Sequence, residues 1–307
     1  MPAITQLHQI DLHSGRITKP QWSPDGRSLA LPTESGYIAI FDIASGQISQ
    51  TIGPHAAAVT AVTWDRKSEF ILSGSLDRSV GLWEVSTGRR APLALDGHKE
   101  PVHSVEWTDE EAFAMTCSAD RVRAYDGCCL ITGWTEEMEN VVNTYTGFTS
   151  AACSYQTTFL LGLVAENGLR LVLASLISGT LLDSVTMRIP IRCLGWSPAE
   201  ELLAVGTANG VLLFRATQTG FEGEPREVSN DASGVCAVAF SSDGSFLVSH
   251  DAEGLKVWEP SSGKLVAALP ERSEVTSGLA FHPSEPLLAA VTASGSEFRI
   301  LDLSIAA

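Results

Sequence analysis

The sequence lacks the features of a membrane-spanning or exported protein. It has no apolar run of the roughly 18–20 residues that a membrane-spanning helix needs. Its first residues, MPAITQ, have neither the basic stretch nor the apolar block of a signal peptide. We therefore expect a cytoplasmic protein.

Basic residues are scarce as well. The chain has 20 lysines and arginines against 36 acidic residues, which gives a formal net charge of −16. A surface of that charge repels the phosphates of nucleic acids and of anionic lipids. The composition therefore predicts no nucleic-acid binding and no membrane binding, and it favours protein partners that are basic or neutral. It leaves the oligomeric state open.

The cysteines have no spacing that is typical of a metal site, and no phosphate-binding, dinucleotide-binding or zinc-protease motif occurs. Most lie in predicted strands among apolar neighbours, so we expect them to be buried and reduced. Two of them are adjacent, but alternation along a strand would place their side chains on opposite faces. We predict no metal, no cofactor and no catalytic residue. The six cysteines are Cys117, Cys128, Cys129, Cys153, Cys193 and Cys236.

What the sequence does contain is a repeat. Residues that end a short strand recur at intervals of 40 to 49, and a second series of aromatic residues ahead of them recurs at intervals of 41 to 48. A period of about 40–45 residues is typical of a four-stranded β-propeller blade. The first series, the outer ladder, is Phe41, Trp83, Tyr125, Ala174, Phe214, Trp258 and Leu301. The second series, the inner ladder, is Trp22, Trp64, Trp107, Tyr155, Trp196, Phe240 and Phe281.

The second repeat carries the most specific motif. It opens with the Gly-Pro-His of 53–55, continues through a small-residue strand around Ser73 to a turn with Asp77, and ends with the Trp-Glu of 83–84. This pattern resembles the WD40 repeat, and the third repeat opens with a similar Gly-His at 97–98. Turns like those of the family occur at 23–26, 197–200 and 241–244. The resemblance covers essentially the whole chain and implies an all-β, seven-bladed propeller in which residues 1–307 form a single domain.

The two ends of the chain predict how the ring closes. The seventh repeat stops without an outer strand, and an unassigned strand at 4–12 precedes the first inner strand at 17–22. Pairing that strand with the last blade would leave no exposed sheet edge at either end. We therefore expect four-stranded antiparallel blades, the last one completed by the N-terminal strand. In blade 2 we expect the fourth strand near 92–95. The fourth repeat departs from the family pattern, because it has a long connection at 134–148 and lacks both Gly-His and Trp.

The resemblance implies a hydrogen-bonded network inside blade 2, formed by His55, Ser73, Asp77 and Trp83. In the family such a set joins the strands of one blade, and the donor and acceptor types suit that role. Serine, histidine and aspartate together also suggest a hydrolase triad. We favour the structural interpretation, because the indole of Trp83 would occupy the space that a nucleophile needs. Blade 3 has three equivalents of the set, His98, Thr116 and Asp120, with Tyr125 in place of Trp.

One ring of residues is expected at a mouth of the central channel. In this fold the residue four before each inner-ladder aromatic tends to point at the opening, and in similar propellers this ring contacts a partner's side chain. A solvated mouth without a ligand is the alternative. The ring contains one permanent cation, Arg192, and one titratable group, His103. Its members are Thr18, Thr60, His103, Ala151, Arg192, Cys236 and Ser277.

A second candidate contact is Trp134 in the long connection, beside the acids at 136, 137 and 139. Exposed tryptophan is common at interface hot spots; the alternative is that Trp134 packs on its own blade. We interpret the chain as a non-catalytic interaction scaffold or adaptor that binds protein partners through the propeller faces. Two alternatives stay open: a hydrolase- or lactonase-like propeller enzyme, and a small-ligand sensor with a site in the channel.

Overall fold

The computed structural model describes residues 4–12, 15–92, 95, 97–107, 113–126, 147–154, 160–175, 178, 180–229, 234–270, 278–292 and 294–304. These ranges contain 27 strands in seven separate sheets. The one helical element among them is a 3-10 turn at Glu166–Gly168. No helix in these ranges has the length and apolar character to cross a bilayer.

The chain begins with β1 (Thr5–Asp11), which belongs to the last blade. In the blades that follow, the strands run antiparallel and are adjacent in chain order. Blade 1 consists of β2 (Gln21–Trp22), β3 (Ser28–Pro32), β4 (Ile38–Asp42) and β5 (Gln47–Ile52). Blade 2 consists of β6 (Val59–Trp64), β7 (Phe70–Ser75), β8 (Val80–Glu84) and β9 (Arg89–Arg90). Blade 3 has β10 (Val102–Trp107), β11 (Phe113–Ser118) and β12 (Val122–Asp126) in the described part.

The remaining blades follow the same plan. Blade 4 consists of β13 (Ser150–Cys153), β14 (Leu160–Ala165), β15 (Arg170–Ser175) and β16 (Leu181–Thr186). Blade 5 consists of β17 (Ile191–Trp196), β18 (Leu202–Thr207), β19 (Gly210–Thr217) and β20 (Gly220–Ser229). Blade 6 consists of β21 (Ala237–Phe240), β22 (Leu247–Asp251), β23 (Gly254–Glu259) and β24 (Lys264–Pro270). Blade 7 contains β25 (Leu279–Phe281), β26 (Leu287–Val291) and β27 (Glu297–Asp302).

The N-terminal strand completes blade 7, as the sequence predicts. Strand β1 pairs antiparallel with β27, with Thr5 opposite Asp302 and Ile10 opposite Phe298. The sheet order is β1-β27-β26-β25, so both ends of the chain share one blade. The prediction of an all-β, seven-bladed propeller closed by the N-terminal strand is therefore confirmed.

Two predicted strand positions were wrong. The fourth strand of blade 2 lies at Arg89–Arg90 rather than at 92–95, because the hairpin turns early and Arg90 pairs with Trp83. The inner strand of blade 1 is only Gln21–Trp22, and Ile17 makes an isolated bridge with Thr33. Pro20 explains the gap, since it has no N–H to donate to the ladder. A fourth strand of blade 3 would fall at 127–146, outside the described residues.

The core lies between adjacent blades, and the inner ladder connects them. In one cluster Ile38 and Ile40 of blade 1 pack with Trp64 and Trp83 of blade 2. Three inner-ladder tryptophans also donate hydrogen bonds from their indole Nε1 atoms across the blade boundary. Trp64 donates to the Gln21 oxygen at 3.1 Å, and two further tryptophans make equivalent bonds. These pairs are Trp22 with the oxygen of Ala280 at 3.0 Å and Trp196 with that of Ala152 at 2.8 Å.

Candidate interaction site

Four inner strands begin on one face of the ring, which we call the upper face. Strands β6, β10, β13 and β17 start there, each five residues before its inner-ladder aromatic. The hairpins between the second and third strands of each blade end on the same face, because Val59 is paired with Ser75 at the start of β6. The turns between first and second strands, such as 23–27 and 65–69, lie on the opposite or lower face.

The predicted network of blade 2 is assembled at the upper face. The Nε2 of His55 lies 2.7 Å from the Oγ of Ser73, which accepts a 2.7 Å hydrogen bond from the indole of Trp83. The Nδ1 of His55 lies 3.2 Å from Asp77 Oδ2 and 3.0 Å from Ser79 Oγ. Histidine, serine and tryptophan are all buried. The four predicted side chains therefore form one continuous chain of hydrogen bonds.

Burial and hydrogen bonding set the charges in this network. Burial lowers the pKa of His55, which favours the neutral imidazole, although Asp77 acts in the opposite direction. Burial alone would raise the pKa of Asp77, but hydrogen bonds from Ser79 and from the N–H of Ala56 outweigh it and lower the pKa to about 2. The Oγ of Ser73 is fully buried and also lies 3.3 Å from the oxygen of Gly81. No substrate has access to that hydroxyl, so this geometry does not serve a hydrolase.

Blade 3 forms a smaller version of the network. The Nε2 of His98 lies 2.8 Å from Thr116 Oγ1, and its Nδ1 lies 3.4 Å from Asp120 Oδ1. Asp120 also accepts the N–H of Lys99 at 3.2 Å. Tyr125 stands in the outer ladder where blade 2 has tryptophan, and it is buried. The network thus joins the loop before β10 to β11 and to the turn that holds the aspartate.

The two threonines of the predicted mouth join neighbouring blades. The hydroxyl of Thr18 donates to the main-chain oxygen of Val59 at 2.8 Å. That of Thr60 donates to the oxygen of Val102 at 2.6 Å. Each bond runs from one inner strand to the start of the next. Both hydroxyls already donate to main-chain oxygens. These threonines therefore fix the spacing of neighbouring inner strands at the mouth and are not free to donate to a ligand.

Other members of the ring differ in exposure. Arg192 is exposed, His103 is half-buried and Ala151 is buried. Cys236 is half-buried, its Sγ lies 3.0 Å from the oxygen of His250, and burial raises its pKa to about 12. A thiol of that pKa is protonated and unreactive at neutral pH. Cys117, Cys153 and Cys193 are free and buried.

Five of the residues named from the sequence lie outside the described residues. They are Tyr155 of the inner ladder, Ser277 of the ring, Trp134 of the long connection, and the adjacent pair Cys128 and Cys129. The structure therefore has no bearing on the contact proposed for Trp134.

Two residues of the channel were missed from the sequence. Lys19 is exposed, and its charge acts on both His103 and Glu106, two blades away. The sequence prediction gave the mouth one permanent cation, Arg192. The structure adds Lys19 as a second. Burial, with a smaller effect of Lys19, lowers the pKa of His103. Burial raises the pKa of Glu106 to about 7, although Lys19 acts in the opposite direction.

The pattern of the inner strands could have identified both residues. Three residues before the inner-ladder aromatic, the other blades have small residues such as Ala61, Ser104 and Ala237, which are buried. Blade 1 alone has a lysine at this position. Glu106 precedes Trp107 directly and points away from the apolar cluster that Trp107 forms with blade 2. The sequence signal for both residues was a charged side chain in a segment whose neighbours are mostly apolar or small.

Comparisons with known proteins agree with this architecture. The sequence model of the anaphase-promoting complex subunit 4 WD40 domain matches residues 4–67. The model of the WD domain, G-beta repeat, matches residues 91–132 and 224–259. The chain is similar to the F-box-like/WD repeat-containing protein TBL1Y of Homo sapiens, with 30% identity over 104 residues. That match covers 34% of this chain and 19% of TBL1Y.

A second relative and a solved structure extend over most of the chain. The anaphase-promoting complex subunit cdc20 of Dictyostelium discoideum is 25% identical over 292 residues, covering 90% of this chain and 55% of that protein. The chain thus spans little more than half of cdc20 and about a fifth of TBL1Y. The crystal structure of the Cps50 (Swd1) β-propeller domain of Myceliophteria thermophila superposes with a TM-score of 0.82 at 18% identity, covering 98% of this chain and 100% of that one. The seven sheets identify the fold as a seven-bladed β-propeller, and three segments of the sequence match WD40 models.

Proposed function

We propose that the protein is a non-catalytic interaction subunit that binds a protein partner through its upper face. The observation that carries this proposal is the pair of exposed cations at the channel mouth. Lys19 lies two residues before β2 of blade 1 and Arg192 lies in β17 of blade 5, on a chain whose formal charge is −16. A partner carboxylate placed between them would meet two positive charges, whereas most of the remaining surface repels it.

Exposed apolar side chains on the same face support the proposal. Tyr37, Leu76 and Leu169 are 41%, 46% and 42% exposed. Each belongs to the hairpin between the second and third strands of its blade, so all three lie on the upper face. Tyrosine is enriched among interface hot spots, and apolar side chains form the buried core of an interface. The upper face therefore combines apolar contacts with a cationic centre.

The relatives support the class of function. One is named as a subunit of the anaphase-promoting complex and another as an F-box-like protein, so at least one is part of a larger assembly by name. In this protein too, chemistry would belong to a partner, with the propeller as the scaffold. The described residues contain no group of three or more metal-binding side chains within reach of one ion.

Charge reversal at the mouth tests the proposal. We would purify the tagged protein with its partners from the native source and quantify them by mass spectrometry. The variants are Lys19→Glu with Arg192→Glu, and Trp134→Ala for the long connection. Arg89→Glu is the matched control, since Arg89 is an exposed arginine of β9, away from the mouth. The proposal predicts that the variant with both Lys19→Glu and Arg192→Glu loses a partner. The Trp134→Ala and Arg89→Glu variants should keep it. If all variants, shown to be folded, retain the same partners, the upper face is not the interaction site.

A small-ligand sensor is the second candidate, and Glu106 is the observation that favours it. A half-buried carboxyl group whose pKa is raised, within the electrostatic influence of a lysine, is typical of ligand sites as well as of structural positions. Thermal unfolding in the presence of a panel of small amines and carboxylates would detect such a site. A ligand that stabilises the wild type but not Glu106→Gln would support the sensor. Equal responses of both proteins would refute it.

A further inference from the structure

Blade 5 contains an open cavity of about 240 Å³ on the upper face. Its walls come from the loop between β16 and β17, from the hairpin between β18 and β19, and from β20. The apolar side chains among them are Met187, Ile189 and Leu212, and the polar ones used below are Arg188, Asn209 and Glu227. The cavity is smaller than the roughly 300–1,000 Å³ of typical small-molecule pockets. It has room for about one large side chain.

The cavity lies where blades 2 and 3 place a histidine. Between β5 and β6 the chain has six residues, 53–58, and His55 folds back from them onto the blade. Between β16 and β17 it has only four, 187–190, and none is histidine. Asn209 takes the place of Asp77 in the hairpin, and Val205 that of Ser73 in the second strand. Blade 5 has therefore lost both the histidine and its partners.

Blades 2, 3 and 6 fill the equivalent space with their own side chains. At the position of Leu212, blade 2 has Gly81, which leaves room for the buried His55. Blade 3 has Arg123, whose Nη2 donates to the Gly97 oxygen at 3.0 Å. Blade 6 has Lys256, which lies 3.0 Å from Asp251 and 2.8 Å from Glu253. In blade 5 the half-buried Leu212 fills only part of this volume.

The charge around the cavity indicates what would occupy it. The stretch MRIPIR, residues 187–192, has two arginines and no acid. Both Arg188 and Arg192 are exposed, and the stretch leads from the cavity to the channel mouth. Glu227 on the outer wall offers acceptors for a partner's main-chain N–H groups. An apolar floor beside two exposed cations complements an apolar side chain followed by carboxylates.

We infer that this cavity is an off-axis docking pocket for one apolar or aromatic side chain of an acidic segment of a protein partner. The inference rests on the proposed function, because it names the second contact of a partner bound to the upper face. The neighbouring carboxylates of the segment contact Arg188 and, towards the channel, Arg192. The side chain occupies the volume that the missing histidine leaves in blade 5.

Methyl NMR of the full chain tests this inference directly, since the methyl groups of Met187, Ile189 and Leu212 line the pocket. The probes are three synthetic hexapeptides: DELFED, its apolar-deleted form DESSED, and its charge-reversed form KRLFRK. We expect DELFED to shift the methyl signals of Met187, Ile189 and Leu212, with the other two peptides at least tenfold weaker. Leu212→Trp should abolish these shifts by filling the cavity. Arg188→Glu, an exposed change that spares the core, should weaken the affinity by about fivefold or more, since an exposed ion pair contributes up to about 1 kcal/mol.

The outcomes separate the pocket from the proposed function. Shifts at Thr18, Thr60 and Ala151 without shifts in the pocket would overturn the inference and leave the upper face as the binding site. Pocket shifts that are equal for DELFED and KRLFRK would overturn the acidic character of the partner. No shift with any peptide would also overturn the pocket. In that case the partner purification with the Lys19 and Arg192 reversals still decides the proposed function on its own.

Discussion

The indole Nε1 of Trp22 donates a 3.0 Å hydrogen bond to the main-chain oxygen of Ala280, 258 residues further along the chain. The two residues belong to the first and last blades, so this bond crosses the point at which the ring closes. Nearby, β1 supplies the outer strand of blade 7. The N-terminal segment therefore closes the ring at two radii: Trp22 at the inner strands and β1 at the rim.

Deleting residues 1–14 should cause aggregation or a large loss of thermal stability. The deletion removes β1, which exposes the edge of β27 to pairing with other chains. Light scattering together with thermal unfolding measures both effects. Deleting residues 1–3 alone leaves β1 intact and serves as the control. A 1–14 deletion that melts like the parent and stays monodisperse would contradict the shared blade.

Replacing Asp77 with Ala should lower the free energy of unfolding by about 1–3 kcal/mol, because it removes the carboxylate partner of the buried His55 and the acceptor of the Ala56 N–H. The pKa of Asp77 is lowered to about 2, so its contribution is present above its ordinary value of 3.8 and lost as the pH falls towards 2. Chemical denaturation at pH 7 and at pH 3 measures the difference. Asp42→Ala, at the end of β4 where the carboxylate accepts the exposed N–H of Ser45, should have a smaller effect. Equal stability of wild type and Asp77→Ala at pH 7 would show that the network contributes nothing.

Glu106 should make the protein less stable as the pH rises. Folded Glu106 keeps its proton up to about pH 7, whereas the unfolded chain loses it near 4.5. The folded state therefore binds more protons between these values, and the free energy of unfolding falls across that window. Glu106→Gln removes this effect and should gain up to about 3 kcal/mol on the wild type between pH 4.5 and 7, with no further gain above.

The charge of Lys19 offers an internal check on that prediction. Lys19→Met removes the cation that opposes the raised pKa of Glu106, so it should move the pH window upwards. Glu100→Gln, an exposed change in the same blade, should give a curve parallel to the wild type. Parallel curves for wild type and Glu106→Gln across pH 4.5–8 would show that Glu106 titrates normally.

The periodicity of the sequence was enough to predict most of the architecture. The inner and outer ladders each give the spacing of the blades, and neither depends on any single motif. Periodicity failed where the backbone departs from regular geometry. The register shifts between Val102 and Ser104, and between Ile191 and Cys193, so His103 and Arg192 stand at irregular positions. Which side chains face the channel depends on these shifts, and counting along the sequence does not contain them. Lys19 and Glu106 lie one and three residues beyond the counted position of their repeats, so counting a single position per repeat missed them.

The cavity of blade 5 could not be predicted from the sequence either. A loop of four residues instead of six is visible only when the strand ends are known. The absence of a Gly-His motif there indicates a lost hydrogen bond. It does not show whether neighbours such as Leu212 fill the space, which depends on side-chain volumes in the folded blade.

Hydrogen exchange on the purified complex with the native partner tests the central claim most directly. Comparing the bound with the free protein by mass spectrometry maps the face that the partner covers. The account predicts slower exchange in upper-face segments, at 15–20, 53–58, 97–103 and 187–192, and unchanged exchange in the lower-face turns at 23–27, 65–69 and 241–245. Protection confined to the lower-face turns, with the upper face unchanged, would contradict it.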